Sequence, residues 1–365
     1  MVYLDYAAHT PADGSVIEAF TGATKPIGNP LSSHSEGRKA AAALESYKES
    51  IAAAFGFSAK ELILTSGATE ANNSAIKGIF NSSRHLGKRI LASPLEHPSV
   101  SAPLARLKEK GADVDFLKLE ANGKIDLEDL KSKLTKDTIL VTVVAVDGEI
   151  GIIQPIKETA AILKAYPDCR LHVDATQAAG KIPFDFSYAD AASFSPHKFY
   201  GIAGIGALYR KRGIIFEPLV DGGGDPYRAG TPALGLAASF AKASELAAKY
   251  LEDRYARVSH LNLTLREGLE KISRAMINSP SDAVPHIINL GIEGHKGAEI
   301  QKALDERGIC VSVKSACSVP NAPSAAVFAL TGNKRRATES FRVSLSHSTT
   351  EDEIDNFLKA LKEII

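Results

Sequence analysis

The feature that most constrains this fold is an alternation. Short apolar runs, "ELILTSG", "RILAS", "DVDFLKL", "TILVTVVAV" and "RLHVDA", are separated by stretches of helical periodicity, "ATEANNSAIKGIF", "PSVSAPLARLKEKG", "DLEDLKSKL" and "IKETAAILKAY". A strand that is apolar throughout is buried on both faces, and strands that alternate with helices form a mostly parallel sheet covered on both sides. Upstream, "SEGRKAAAALESYKESIAAAFGF" places Leu44, Tyr47, Ile51 and Phe55 on one helical face, with Gly56 as the stop. Two long helical stretches occupy about residues 232–276. A smaller alternation follows: strand "HIINLGI", helix "HKGAEIQKALDERG", strands "ICVSV" and "FRVSLS", and a last helix opened by Thr350 with Glu353 three residues on, a capping box. The expectation is a large α/β domain over residues 1–255 and a small α+β domain over residues 256–365.

Lys+Arg and Asp+Glu both number 43, so no global field attracts nucleic acid. No apolar run reaches the roughly 18 residues that span a bilayer, and "MVYLDYAAHTPADGS" lacks the basic-then-apolar pattern of a targeting signal. The reading is a soluble, cytoplasmic protein whose partners are small molecules or specific proteins, neither nucleic acid nor membrane. Cys169, Cys310 and Cys317 form no C-x-x-C pair and have no His cluster nearby, which argues against a disulfide framework and a structural metal. Cys169 and Cys310 fall in or beside strands and read as core residues, and at least one of the three is a candidate working thiol.

Chemistry concentrates in "SFSPHKFYGIAGIGALY". A lone lysine is usually a solvated surface charge, but Lys198 follows a small apolar run and precedes Gly201, Gly204 and Gly206, which mark close approach of backbone to a ligand. A partly buried lysine loses basicity and forms Schiff bases, which suggests pyridoxal phosphate. That cofactor calls for a carboxylate at its ring nitrogen and a cradle for its phosphate. Asp174 ends the strand "RLHVDA", 24 residues before Lys198. In "TSGATEANN" a strand runs into Gly67, Ala68 and Thr69 at a helix start, where backbone N–H groups and the helix dipole suit a phosphate.

With "YLDYAAHTP", "GNPLSSHSEGR", "LEHPSV", "EIGIIQPI", "GGGDPYRAGT", "SACS" and "FRVSLSHSTTEDEI", these motifs make the chain resemble, over nearly its whole length, the cysteine desulfurases of the class V aminotransferase group. The resemblance implies a fold-type I transferase with a seven-stranded sheet, and an N-terminal segment (residues 1–20) packed on the small domain. It implies that Lys198 carries pyridoxal 5'-phosphate and Asp174 pairs with the ring nitrogen. Gln177 lies near the phenolic oxygen; His97 stacks on the ring and moves protons. Ala68, Thr69, Ser195 and His197 hold the phosphate, joined by Thr231 from the second subunit of a homodimer. Arg342 takes the substrate α-carboxylate, its planar fork matching both oxygens. Cys317 takes the sulfur as a persulfide. Lys314, which stands where the family tends to have a glycine, is a nearby cation that favours thiolate.

Asp147 and Gly148 stand where the family carries two asparagines, one of which bonds the phenolic oxygen; an ionised Asp147 there repels it, and Gly148 offers no side chain. The implied activity is conversion of L-cysteine to L-alanine, with sulfur passed to an iron–sulfur scaffold or another acceptor protein. Two alternatives stay open: another class V reaction (selenocysteine or cystine lyase, or aminotransferase), and a non-catalytic paralogue that binds a sulfur-transfer partner.

Overall fold

The computed structural model describes residues 1–314 and 322–365. Seven strands form the main sheet: β2 (Leu62–Thr65), β3 (Arg89–Ala92), β4 (Asp113–Phe116), β5 (Thr138–Val144), β6 (Arg170–Asp174), β7 (Ala191–Phe194) and β8 (Gly206–Arg210). Their order is β2-β8-β7-β6-β5-β3-β4, and β8 alone runs against its neighbours. All seven residues of the interior strand β5 are buried, as its unbroken apolar run requires. Adjacent residues face opposite cores. Leu91, Val141 and Val173 join one cluster with Phe194 and Phe240; Ile90 and Leu140 join another with Ile76, Ile79 and Leu104 from helices Ala68–Ser83 and Pro98–Glu109.

A second framework is built from β9 (Ala275–Ile277), β10 (Ile287–Ile292) and β12 (Ser340–Ser344), antiparallel in the order β12-β10-β9. Its core gathers Leu261, Leu265 and Leu269 of helix Leu251–Glu270, Phe357 and Leu361 of helix Glu351–Ile364, and Leu4 from the far end of the chain. Leu4 arrives because β1 (Val2–Tyr3) pairs in parallel with β11 (Ile309–Cys310), and Asp5 bridges to Ser344. Helix Gly14–Thr24 then turns back to lie against helix Leu234–Lys249. Residues 5–10 therefore cross from the smaller framework to the larger.

The expected strand "ICVSV" is shorter than its composition suggests. Its partner β1 ends at Tyr3, so pairing stops at Cys310 and resumes only as a bridge from Ser312 to Arg342. Cys310, expected in a core, is consequently half-buried at this edge, whereas Cys169 is buried. Among the described residues no helix is long and apolar enough to cross a membrane.

Candidate active site

A cavity of about 520 Å³ opens where β5, β6 and β7 end, as ligand sites do at the carboxyl ends of parallel strands. It is walled by Ala68, Thr69, His97, Asp174, Gln177, Ser195, His197, Lys198 and Arg342, side chains that the sequence placed in one site. Lys198 ends a short 3-10 turn after β7, and its Nζ donates to the carbonyls of Ala7 (2.8 Å) and Ala8 (2.7 Å). Asp174, 3 % exposed, accepts from Asn72 Nδ2 at 2.8 Å and from the Thr176 amide at 3.0 Å. It thus caps the following turn while its carboxylate faces the cavity.

Helix Ala68–Ser83 begins at Gly67 without a side-chain cap, so its first N–H groups are left to a ligand. Beside them, Ser195 Oγ donates to the Ile205 carbonyl and receives His197 Nδ1 at 2.8 Å. Burial, with Lys198 nearby, lowers the His197 pKa to about 4, so the ring is neutral at pH 7. His97 caps the next helix: its Nδ1 accepts from the Ser99 amide at 3.1 Å, which leaves its proton on Nε2, and burial lowers its pKa despite the opposing Asp174 charge.

Arg342, 2 % exposed, gives Nη2 to Asp5 (2.7 Å) and Nη1 to the Gly148 carbonyl (2.8 Å); its Nε is buried without a partner among the described residues. Asp147 lines the cavity, but backbone amides occupy one of its carboxylate oxygens. Its Oδ2 accepts from the amides of Glu149 and Ile150, and burial, reinforced by Glu149, raises its pKa to about 7. The anticipated repulsion is thereby reduced. Thr231 is exposed on the loop before helix Leu234–Lys249, outside its own chain's cavity, and Cys317 lies outside the described residues. On either side of residues 315–321, Lys314 Nζ donates to the Ala322 carbonyl at 2.8 Å.

Four supports were missed in the sequence: Asp5 on Arg342, Asn72 on Asp174, Ser99 on His97, and the Ala7 and Ala8 carbonyls on Lys198. Glu96 was missed too. It lines the cavity beside Asp174, with Oε2 buried and unpartnered among the described residues, and burial lifts its carboxyl well above the usual range. Its place directly before His97 in "LEHP" was the available signal.

The sequence profile of the aminotransferase class-V family matches residues 2–357. The chain belongs to that family. Among its relatives is the "NifS/IcsS protein homolog" of Lactobacillus delbrueckii subsp. bulgaricus, 37 % identical over 380 residues and spanning 100 % of this chain and 97 % of that protein. The "Cysteine desulfurase IscS" of Dictyoglomus turgidum is 38 % identical over 372 residues, spanning 100 % of this chain and 94 % of that one. Among solved structures, a "NIFS-like protein" superposes with a TM-score of 0.93 at 32 % identity, covering 100 % of this chain and 98 % of that chain. The structure of "SspA in complex with cysteine" gives 0.83 at 29 %, covering 96 % and 100 %. The fold expected from the class V resemblance is therefore the fold of this family member.

Proposed function

We propose that this class V enzyme is a homodimeric, pyridoxal-phosphate-dependent cysteine desulfurase that passes sulfur from L-cysteine, through Cys317, to an acceptor protein such as an iron–sulfur scaffold. The observation that carries the reading is the convergence of three unlike demands in one cavity: an amine at Lys198, a buried carboxylate at Asp174, and uncapped helix N–H groups beside Thr69, Ser195 and His197. These suit the aldehyde, ring nitrogen and phosphate of the cofactor respectively, so the residues fit the group. When bound, pyridoxal phosphate supplies an electron sink for the substrate's α-carbon. The names of the relatives, cysteine desulfurase above all, favour cysteine as the substrate.

The side chains divide the remaining work. Asp174, held by Asn72 and the Thr176 amide, keeps a proton on the ring nitrogen. Arg342, its guanidinium oriented by Asp5 and the Gly148 carbonyl on the cavity wall, takes the substrate carboxylate. His97 holds a proton at Nε2 on the wall of the cavity, and the Lys198 amine would receive the substrate's α-proton. Thr231 completes the phosphate cradle from the partner subunit. The division at residue 255 belongs to the same proposal; a core gathered around Leu261, Leu265 and Phe357, apart from that around Val141 and Phe194, favours two domains, although residue 255 itself lies within helix Leu251–Glu270 and Val284 and Ile287 join the larger core.

The test uses two variants. Lys198→Ala folds but holds no chromophore that borohydride fixes to the chain; ordinary turnover in it overturns the cofactor assignment. Cys317→Ser keeps the cofactor and binds cysteine but forms almost no alanine or sulfide. Sulfur release at the wild-type rate by the serine variant replaces the desulfurase reading with a lyase.

A further inference from the structure

Lys181 is 8 % exposed, on the turn after β6, where an amine is costly to bury. The turn is sharp because Gly180 adopts φ +71°, and a Cβ there would meet the Phe199 side chain at 2.9 Å. This bend points Lys181 back under Gln177, and its Nζ donates to Gln177 Oε1 at 2.6 Å. Burial, with Lys198 and Arg342 close by, pushes the amine well below the usual ammonium range, and His286 is a further basic group facing it.

Gln177 is gripped at both ends. Its Nε2 donates at 2.9 Å to the Ala7 carbonyl, the same oxygen that receives Lys198 Nζ. Lys181 offers donors to the amide oxygen and Ala7 offers only an acceptor, so the two contacts agree on one orientation of the amide. Among the described residues no other hydrogen bond holds the amide: Gly148 has no side chain, and even an added Cβ there would come no closer than 3.6 Å to Nε2.

We propose that Lys181 is a positioning residue that acts through Gln177, fixing the amide so that an N–H, not a carbonyl, is presented to the phenolic oxygen of the cofactor ring. The proposal rests on the cofactor reading above. With Gly148 in place of a side chain, the orientation of this one amide decides whether that oxygen meets a donor.

The test is the pH titration of the visible band of the reconstituted protein, with the affinity of the apo protein for pyridoxal phosphate as a second readout. A donor to an anionic oxygen favours the ionised form, so loosening it raises the titration midpoint. Lys181→Met, similar in length but without a donor, is expected to raise the midpoint by about one pH unit and weaken cofactor binding about tenfold. Lys181→Leu is made in parallel so that one misfolded variant does not end the test. Lys181→Gln, which keeps an N–H donor, recovers at least half of the shift.

Gln177→Leu alone shows the full effect, and adding Lys181→Met to it changes nothing further. An unshifted midpoint in both Lys181→Met and Lys181→Leu, equal midpoints for Lys181→Gln and Lys181→Met, or additive shifts in the double variant each overturn the proposal. Failure of the cofactor reading looks different: the wild type itself then shows no band that borohydride fixes.

Discussion

Asp147 opens the turn that carries Gly148 to the cavity rim, and its carboxylate bonds backbone amides of that turn rather than a cation. The folded protein retains its proton up to about pH 7, whereas an unfolded Asp loses it near 3.9. Below about pH 4 both states are protonated and Asp147 has no effect; between about pH 4 and 7 the folded state binds more protons, so stability falls as pH rises. Three pKa units correspond to roughly 4 kcal/mol. Asp147→Asn keeps the accepting oxygen without the titration, so its stability relative to wild type should climb by about that amount from pH 4 to pH 8. Urea unfolding of both apo proteins at pH 4, 6 and 8 reads this; a difference that stays flat shows that Asp147 titrates normally. Lys198 and Asp174 were legible in the sequence because each sits in a local pattern of glycine turn or strand end, whereas His97, at a helix start, was assigned to the site only through the family resemblance. Asp5 and Arg342 are 337 positions apart, and no local pattern announces such a pair.

The turn between β2 and helix Ala68–Ser83 shows how elements shape the cradle. Gly206 opens β8 opposite Thr65, and a Cβ added to it would fall 2.5 Å from Gly67 Cα, on rigid backbone at the helix start. Gly206→Ala must therefore displace the turn. The expected cost is about 1–3 kcal/mol, as for other overpacked sites, together with a larger loss of pyridoxal-phosphate affinity than Gly223→Ala, where an added Cβ meets nothing within 4 Å. Thermal unfolding and cofactor titration compare the two; equal affinities would mean that the close approach of β8 does not set the cradle. The elements themselves were largely readable. "ELILTSG" contains β2 and "ATEANNSAIKGIF" all but the last three residues of the helix after it, and the capping box of Thr350 and Glu353 forms with nitrogen-to-oxygen distances of 3.2 and 2.9 Å. "ICVSV" was overread because strand composition does not reveal how short the partner strand is.

At the scale of the molecule, residues 5–10 connect the two frameworks and touch the site repeatedly: Asp5 at Arg342, Ala7 at Gln177, Ala7 and Ala8 at Lys198, Thr10 at the His197 carbonyl. Alternating apolar runs foretold the main sheet, but its strand order and this crossing depend on long-range pairing that periodicity does not encode. The same limit governs the last element of the cradle. Thr231 is exposed in its own chain, so its proposed role at the phosphate needs a second subunit. A carboxylate introduced there by Thr231→Glu faces the phosphate of the partner's site, repels it, and leaves the chain's own fold intact. Lys198→Ala disables the opposite half of the same site. Each variant alone should lack the borohydride-fixable chromophore. Dissociated and reassociated one to one, half of the dimers pair unlike chains, and each of those holds one complete site, with Lys198 from one chain and Thr231 from the other. About a quarter of all sites should then bind cofactor and turn over cysteine. Recovery near that fraction, measured against mock-reassociated homodimers, supports a site shared between subunits; no recovery in mixtures whose unlike pairs are verified by mass places Thr231 outside the partner's cradle.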